Sequence, residues 1–549
     1  MPSFNPFDVT RIKTLNMKRF LFSGISILAL FCISSCSKDY LDRPPLGIQT
    51  DANFYTSPDA GFKTVVNCYT GFNNFWNYQA ALIELGNMAT DDFDKGGSDA
   101  GDRPFVTDLG FGRAQSTNET LSDFWSGCYA AIGNCNVALD NLPDAALIDA
   151  SGKPVADNVK KRYIAEIRFL RAFFYFDLVR VYGGVPLVTK TLSVDDRDKL
   201  TRASDTAVLN FIINEWTACI PDLPSRNGLP ANELGRATKE ATWAFMAQAY
   251  LFFAGQDQSL YTKARDAAKQ VIDSKAFSLD PNYQHLFLAD GYKSTEAVFP
   301  VIFGDNPAAF IYGSNVPIYC SPRSVGGWGF DCATQNLVDE FEANDPRLLF
   351  TVLDQGDAFP ASGGGQEVMD FTTSPNTGYY NRKEFLVASR RGQGWGNDAF
   401  TLHLMRYADV LLIYAEASLE SGGDKQEVAT YINMIRSRAS HSDHTDAEAL
   451  KRVRTIANAP LSLVKTSDDL EAAIRHERRV EFGGEYERLF DLIRWGTYVS
   501  TMHAFSAKPY SNGKGAAFKE PANGGRYVFP IPQVEIDRSG GSIVQNPGF

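Results

Sequence analysis

Residues 159–186 read Val159-Lys-Lys-Arg-Tyr-Ile-Ala-Glu-Ile-Arg-Phe-Leu-Arg-Ala-Phe-Phe-Tyr-Phe-Asp-Leu-Val-Arg-Val-Tyr-Gly-Gly-Val-Pro186, and this stretch decides the fold class. Tyr163, Ile167, Leu170 and Phe174 recur at intervals of four, three and four, the stripe of an amphipathic helix. Gly183-Gly184 ends that helix by permitting left-handed dihedrals, and Pro186 by lacking a backbone donor. Residues 237–254 carry Ala237, Ala241, Ala244, Ala247 and Ala249, small side chains that let a neighbouring helix approach closely. Tyr261–Lys275 is its natural partner. Leu404–Glu420 reads as a helix closed by Ser421-Gly422-Gly423, and Lys425–Ala439 follows with Val428, Tyr431, Ile432 and Ile435 on one face. Ser467 is suited to cap a helix running through Phe482, with Asp468 and Asp469 at its positive end. Glu485–Trp495 restarts the pattern, and 57–76 and 120–141 read as helices too. Paired helices with alanine at crossing positions predict a mainly α fold, a tetratricopeptide-like array without strict period.

From 277 to 400 the character changes. Gly, Pro, Asn and aromatic residues dominate, Ala297–Phe303 reads as a strand, and Gly363-Gly364-Gly365 and Arg391–Gly396 read as loops. The organisation expected is a helical scaffold over 51–276 and 401–505, a loop-rich insertion with short strands over 277–400, and an extended C-terminal segment over 506–549. Loops carried on a rigid scaffold are where binding residues concentrate.

The 549 residues are 44% hydrophobic, which excludes wholesale disorder. With 53 Lys+Arg against 65 Asp+Glu, the net charge of −12 argues against a nucleic-acid partner, whose phosphates demand clustered cations. Aromatics are abundant, at 39 Phe, 23 Tyr and 7 Trp. Phe is explained by core demand, whereas Tyr and Trp more often keep a polar handle near a surface or ligand.

Lys18-Arg19, the apolar run Phe20–Ile33 and Ser34-Ser35-Cys36 have the layout of an export signal, too short to span a bilayer as a helix. Ile33-Ser-Ser-Cys36 resembles a bacterial lipobox, which implies cleavage before Cys36 and acylation of its thiol. Met17 is a plausible start, residues 1–35 are expected to be removed, and 36–50 to form a lipidated tether. Losing 1–35, with four basic side chains and one acidic, takes the net charge from −12 to −15. Cys68, Cys128, Cys135, Cys219, Cys320 and Cys332 contain no C-x-x-C pair. Cys320 and Cys332 bracket a Gly-rich loop and are the disulfide candidates, while His441 and His444 are expected to face solvent.

Five stretches carry a resemblance along the chain: Asp39-Tyr-Leu-Asp-Arg-Pro-Pro-Leu46 with Phe54-Tyr-Thr-Ser-Pro58; Glu166–Leu178 running to Tyr182-Gly-Gly-Val-Pro186; Met405-Arg-Tyr-Ala-Asp-Val-Leu-Leu-Ile-Tyr-Ala-Glu-Ala417; Glu477-Arg-Arg-Val-Glu-Phe482 with Phe490-Asp-Leu-Ile-Arg-Trp-Gly496; and Phe529-Pro-Ile-Pro532 with Gln545-Asn-Pro-Gly-Phe549. In this order behind a lipobox they resemble the SusD/RagB family of Bacteroidetes outer-membrane nutrient-binding lipoproteins. The resemblance implies a surface-exposed protein on the outer membrane, anchored through Cys36. It also implies a lid over a SusC-like TonB-dependent transporter, delivering captured oligosaccharide or polysaccharide. Peptide capture, as in the RagB branch, and a purely structural scaffold for the barrel are the alternatives. The shared motifs themselves read as scaffold. Arg168, Arg171, Arg406, Arg478 and Arg494 are placed to pair with Glu166, Asp177, Asp409, Glu416, Glu477 and Asp491 and so fix helix register.

No catalytic constellation stands out. Asp91/Asp92/Asp94 and Glu367/Asp370 are the carboxylate groups a glycosidase would need, but nothing sets a raised-pKa acid opposite a second carboxylate. A nucleophile elbow and a phosphate-cradling glycine motif are missing from the sequence as well. The expectation is a binding protein rather than an enzyme, needing no cofactor, with calcium at Asp91-Asp92-Phe93-Asp94 a weak alternative. Sugar rings present apolar C–H faces and a hydroxyl rim, so flat aromatics beside carboxylates and guanidiniums are sought in the loops. The candidates are Trp76, Tyr78, Asp91, Asp92, Arg323, Trp328, Tyr379 and Trp395.

Overall fold

The computed structural model describes residues 54–193, 196, 199–304, 313–372, 377–392, 396–442, 445–522 and 524–549. The export segment, Cys36, the tether, His444 and Trp395 lie outside them. Helices of thirteen residues or more are α1 Glu119–Asn141, α2 Asp157–Tyr182, α3 Asp205–Cys219, α4 Lys239–Ala254, α5 Ser259–Ser274, α6 Tyr407–Glu420, α7 Lys425–His441 and α8 Leu470–Phe482. Connections of four residues join α4 to α5 and α6 to α7, which makes each pair an antiparallel hairpin. α1 and α3 flank α2, and α5, α6 and α7 pack in succession. The architecture is mainly α, with tetratricopeptide-like helical repeats.

The deciding stretch forms α2, closed where Gly183 adopts φ 70°. It departs from the amphipathic reading in one respect: from Ala165 to Tyr182 almost every side chain is buried, not a single stripe. α2 has neighbours all round, and its Phe169 and Phe173 meet Phe245 of α4 and Phe299 of the adjoining sheet at centroid distances of 5.1–6.2 Å. Its charged residues are tolerated there because they are paired. Arg171 donates to Glu215 and Asn136, and Arg180 binds Asp177. Ala241, Ala244 and Ala247 are fully buried, as their role at a helix crossing requires.

Among the described residues, eight short strands form two-stranded antiparallel sheets: β1 Phe93–Gly96 with β3 Phe330–Ala333, β2 Ala297–Phe303 with β8 Phe400–Arg406, β4 Val352–Asp354 with β7 Tyr379–Asn381, and β5 Ala358–Pro360 with β6 Gln366–Val368. β2 has the predicted bounds. Leu404–Arg406, expected to open a helix, instead completes β8, where Leu402 faces Val301 and Phe400 faces Phe303. The cap of α8 also differs from expectation. Asp469, not Ser467, accepts the Ala472 amide at 3.0 Å, and the helix begins at Leu470. α3, and the helices Pro104–Phe111 and Tyr498–Ser506, were not anticipated.

The strands lock to the helices through a buried ionic seam. Glu481 of α8 accepts from Arg347 (2.9 Å), Arg406 at the end of β8 (3.0 Å) and Arg438 of α7. Arg347 also binds Asp345 and Glu477, at 2.7 and 2.6 Å, and Glu296 of the 277–400 region accepts from Arg406 and Arg438. The motif arginines thus do structural work, as their pattern implied: Arg478 joins Asp409 and Asp491, and Arg494 joins Glu416. Arg171 pairs with Glu215, and Arg406 with Glu296, Glu481 and Glu485, carboxylates outside the expected set, and the Arg168 Nε is buried without a hydrogen-bond partner.

Candidate functional site

Trp76 sits on a π-helical turn, Phe75–Ala80, whose first residues are capped by the Asn74 side chain accepting from the Asn77 amide at 3.1 Å. Buried neighbours Phe75 and Tyr78 anchor the turn, leaving the indole 41% exposed. Trp328 lies between the turn Arg323–Val325 and β3. Its amide donates to the Ile318 carbonyl at 2.7 Å, and Gly327 passes so close to Ser321 that a Cβ would stand 2.1 Å from the carbonyl oxygen. This packing delivers the Trp328 ring parallel to that of Trp76, with centroids 5.6 Å apart and planes 11° apart. Phe75 and Tyr319 support both rings from beneath in edge-on contacts of 4.7–6.3 Å. A sugar inserted between two rings needs a contact of about 3.5–4 Å on each side, so the pair acts as a platform and not as a clamp.

Two guanidiniums border the platform. Arg103 lies over the Trp76 ring, 4.6 Å from its centroid, a cation–π arrangement. Its backbone takes the left-handed φ of 48°, an uncommon conformation for a residue with a Cβ. Its Nε donates to Glu84 at 2.7 Å, and the Tyr319 hydroxyl donates to the same carboxylate oxygen at 2.6 Å. Burial pushes the Glu84 carboxyl up, opposed by the Arg103 charge and by its hydrogen bonds. Arg323, exposed, binds Asp102 at 3.2 Å and packs its aliphatic stem on Gly329. The Asp102 carboxylate in turn accepts from the Ser98 amide and hydroxyl, which orders this rim. Flat apolar faces edged by fixed donors and an acceptor suit a hydroxylated ring.

The other sequence candidates divide. Trp76, Trp328 and Arg323 come together at this surface. Tyr78 does not: it is fully buried and donates to Asp177 at 2.8 Å, so it belongs to the core. Asp91 and Asp92 are also buried, paired with Arg479 and Arg488 at 2.5–3.5 Å. Burial favours the neutral form of Asp91, but Arg488 and Arg479 outweigh it and hold the carboxyl well below its usual range. These guanidiniums supply the counter-charge a calcium ion would bring, which removes the calcium alternative its ligands. Tyr379 packs against a separate apolar cluster and donates to Gln335 at 2.7 Å. Trp395 lies outside the described residues. Of the glycosidase candidates, Glu367 is held bidentately by Arg391 at 2.8 Å. The Cys320–Cys332 pairing is not made either. Both thiols are free and buried in different apolar clusters. His441 is exposed, as expected.

Arg103, Asp102 and Glu84 escaped sequence reasoning. The one local signal was an acid, Glu84, in the otherwise apolar run 80–86, and it names a buried pairing without naming its partner. Among the described residues no helix is long and apolar enough to cross a membrane, and no His/Cys/Asp/Glu group could hold a metal ion.

Comparison with known proteins bears on this arrangement. The family described as the SusD family matches residues 295–549, and one described as "Starch-binding associating with outer membrane" matches 104–251. SusD-like protein P2 of Formosa agariphila is 26% identical over 95% of this chain and 98% of its own length. Starch-binding protein SusD of Bacteroides thetaiotaomicron is 25% identical over 73% of this chain and 75% of its own. Among solved structures, surface glycan-binding protein A from Bacteroides uniformis has a TM-score of 0.69 at 25% identity, covering 89% of this chain and all but 1% of that one.

Proposed function

The chain belongs to the SusD/RagB family, and from that premise we propose that it captures oligosaccharide at the cell surface on the Trp76–Trp328 platform. The observation that carries this reading is the parallel indole pair, Trp76 exposed and Trp328 half-buried, with Arg103 fixed against Trp76. Core packing accounts for neither the exposure of Trp76 nor the left-handed backbone of Arg103. The names of the relatives, a starch-binding protein and a surface glycan-binding protein, support the same class of ligand. The apolar C–H surface of the sugar lies against the exposed part of the indole pair, and its hydroxyl rim meets Arg103, Arg323 and Asp102. No bond is made or broken in this role, so the protein acts as a binder and not as an enzyme.

The finer reading follows from the family. The Cys36 lipid holds the protein on the outer membrane, and the domain closes as a lid over a SusC-like TonB-dependent transporter that takes the glycan inward. The domain bounds expected from sequence stand as part of this proposal: a tether over 36–50 and one SusD-like domain over 51–549. Calorimetric titration with soluble glucans, other plant and algal glycans, and peptides tests the ligand class. Heat from a glycan that is lost in Trp328→Ala supports the reading, and heat from peptides alone overturns it in favour of the RagB-type alternative. Co-purification with a TonB-dependent barrel from the native membrane tests the partner separately.

A further inference from the structure

Cys68, on the helix Ala60–Tyr69, and Cys135, on α1, are free thiols in this structure, both fully buried in the same apolar core. The segments that carry them run antiparallel, and their register can be followed along the contact. Tyr78 stacks on Phe124 with centroids 5.9 Å apart. A Cβ placed on Gly127 would stand 2.2 Å from the Asn77 carbonyl oxygen, and one on Gly71 would stand 2.6 Å from the Ala131 Cβ. The partners therefore step through 78/124, 77/127 and 71/131, one number falling as the other rises. One more turn, three residues back from Gly71 and four forward from Ala131, reaches Cys68 and Cys135. The two thiols feel each other: burial, with the Cys68 thiol beside it, lifts the Cys135 thiol well above its usual range. Gly71 and Ala131 bring the backbones together at this point, and a disulfide needs such closeness, with Cα atoms about 4.4–6.8 Å apart.

We propose that Cys68 and Cys135 form a disulfide site, joining the helix Ala60–Tyr69 to α1. The oxidant is a disulfide-bearing thiol carrier. One protein thiolate attacks a carrier sulfur and expels one carrier thiolate, leaving a mixed disulfide. The second protein thiolate attacks the protein sulfur of that mixed disulfide and expels the second carrier thiolate. Two protein S–H bonds become one S–S bond, and two electrons and two protons leave on the reduced carrier. Since neither thiol is exposed in the folded chain, the exchange happens during folding, before the helices dock. In the cell such carriers are met on export, so the occurrence there rests on the export reading, whereas the geometry does not. The site is independent of glycan binding.

The test supplies its own oxidant. Full-length chain is reduced, unfolded, refolded with oxidised glutathione, blocked with N-ethylmaleimide in acidic denaturant, digested, and mapped by mass spectrometry. The expected product is a Cys68 peptide cross-linked to the Cys135 peptide, with Cys219, Cys320 and Cys332 alkylated. Cys128 shares a tryptic peptide with Cys135, so Cys128→Ser must keep the link, and Cys68→Ser and Cys135→Ser must each abolish it. In the folded protein the link resists dithiothreitol that removes it in denaturant. Alkylation of both Cys68 and Cys135, a link from Cys68 to any other cysteine, or glutathione retained on either thiol overturns the proposal. Protein isolated already folded from an exporting host is mapped in the same way, so a chain that fails to refold still gives an answer.

Discussion

Truncating the two indoles, singly and together, puts the platform to its most direct test. A sugar laid against the exposed part of the stacked pair shields roughly 80 Å² of apolar surface, which at about 25 cal/mol per Å² contributes ~2 kcal/mol. That corresponds to about 30-fold in Kd. Trp76→Ala and Trp328→Ala are each expected to weaken glycan binding roughly 5- to 12-fold. The double variant should lose less than the product of the two, because each ring is seated against the other and such stacked pairs couple by about 0.5–1.5 kcal/mol. Stability separates the two positions. Trp76 is 41% exposed, so its truncation should cost under about 1 kcal/mol, whereas Trp328 is half-buried against Phe75 and Tyr319 and should cost about 1–3 kcal/mol. Calorimetry at a temperature where circular dichroism shows every variant folded gives the affinities. If both single variants are folded and bind within twofold of the parent, the platform is not the ligand site and the reasoning from exposure fails.

Asp91→Asn is expected to destabilise the fold by about 3–5 kcal/mol, since it leaves Arg479 and Arg488 under-compensated in the interior. Glycan affinity at low temperature should be unchanged, and a calcium chelator should alter neither quantity, as thermal melts and titrations will record. Glu481→Gln should cost a similar amount, for three guanidiniums converge on that carboxylate. Burial favours neutral Glu481, but Arg438, Arg406 and Arg347 overcome it and hold its carboxyl below the ordinary range. Its stabilisation is therefore present at neutral pH and fades as pH falls below the unfolded-state value, so the variant's stability should fall less steeply between about pH 5 and 2. Asp331 has the opposite sign. Burial raises its carboxyl to about 7, despite hydrogen bonds from Asn381 and Asn87, so the native state binds the extra proton and stability drops as pH rises from about 4 to 7. Asp331→Asn, which also suits the φ of 60° at this position, should flatten that part of the pH–Tm curve.

The helices were legible because their signals are local. Alanine spacing, stop glycines and the α2 stripe need no knowledge of distant residues. The boundary errors have identifiable causes: Asp469 competes with Ser467 as a cap, and Leu404–Arg406 has no strand character until β2 is there to pair with it. The site was only half legible. Trp76 and Trp328 could be suspected from loop context, but their stacking joins residues 252 apart in sequence and follows from how Gly327 threads past Ser321. Asp91 and Asp92 misled for the same reason. A doubled aspartate looks like an exposed ligand until Arg479 and Arg488, nearly 400 residues away, are seen to cover it.

The indole pair has one ring on the helical scaffold and one in the loop-rich region, and that division makes it a strain gauge. Two parallel chromophores at 5.6 Å couple electronically, and the near-ultraviolet circular dichroism of such a couple depends steeply on their separation and angle. Any sliding of the strand region against the helices, whether from cargo, from docking on a barrel or from loss of the ionic seam, would shear the rings and register in that signal. The protein thus carries its own label, at the spot where the two halves of its architecture must agree.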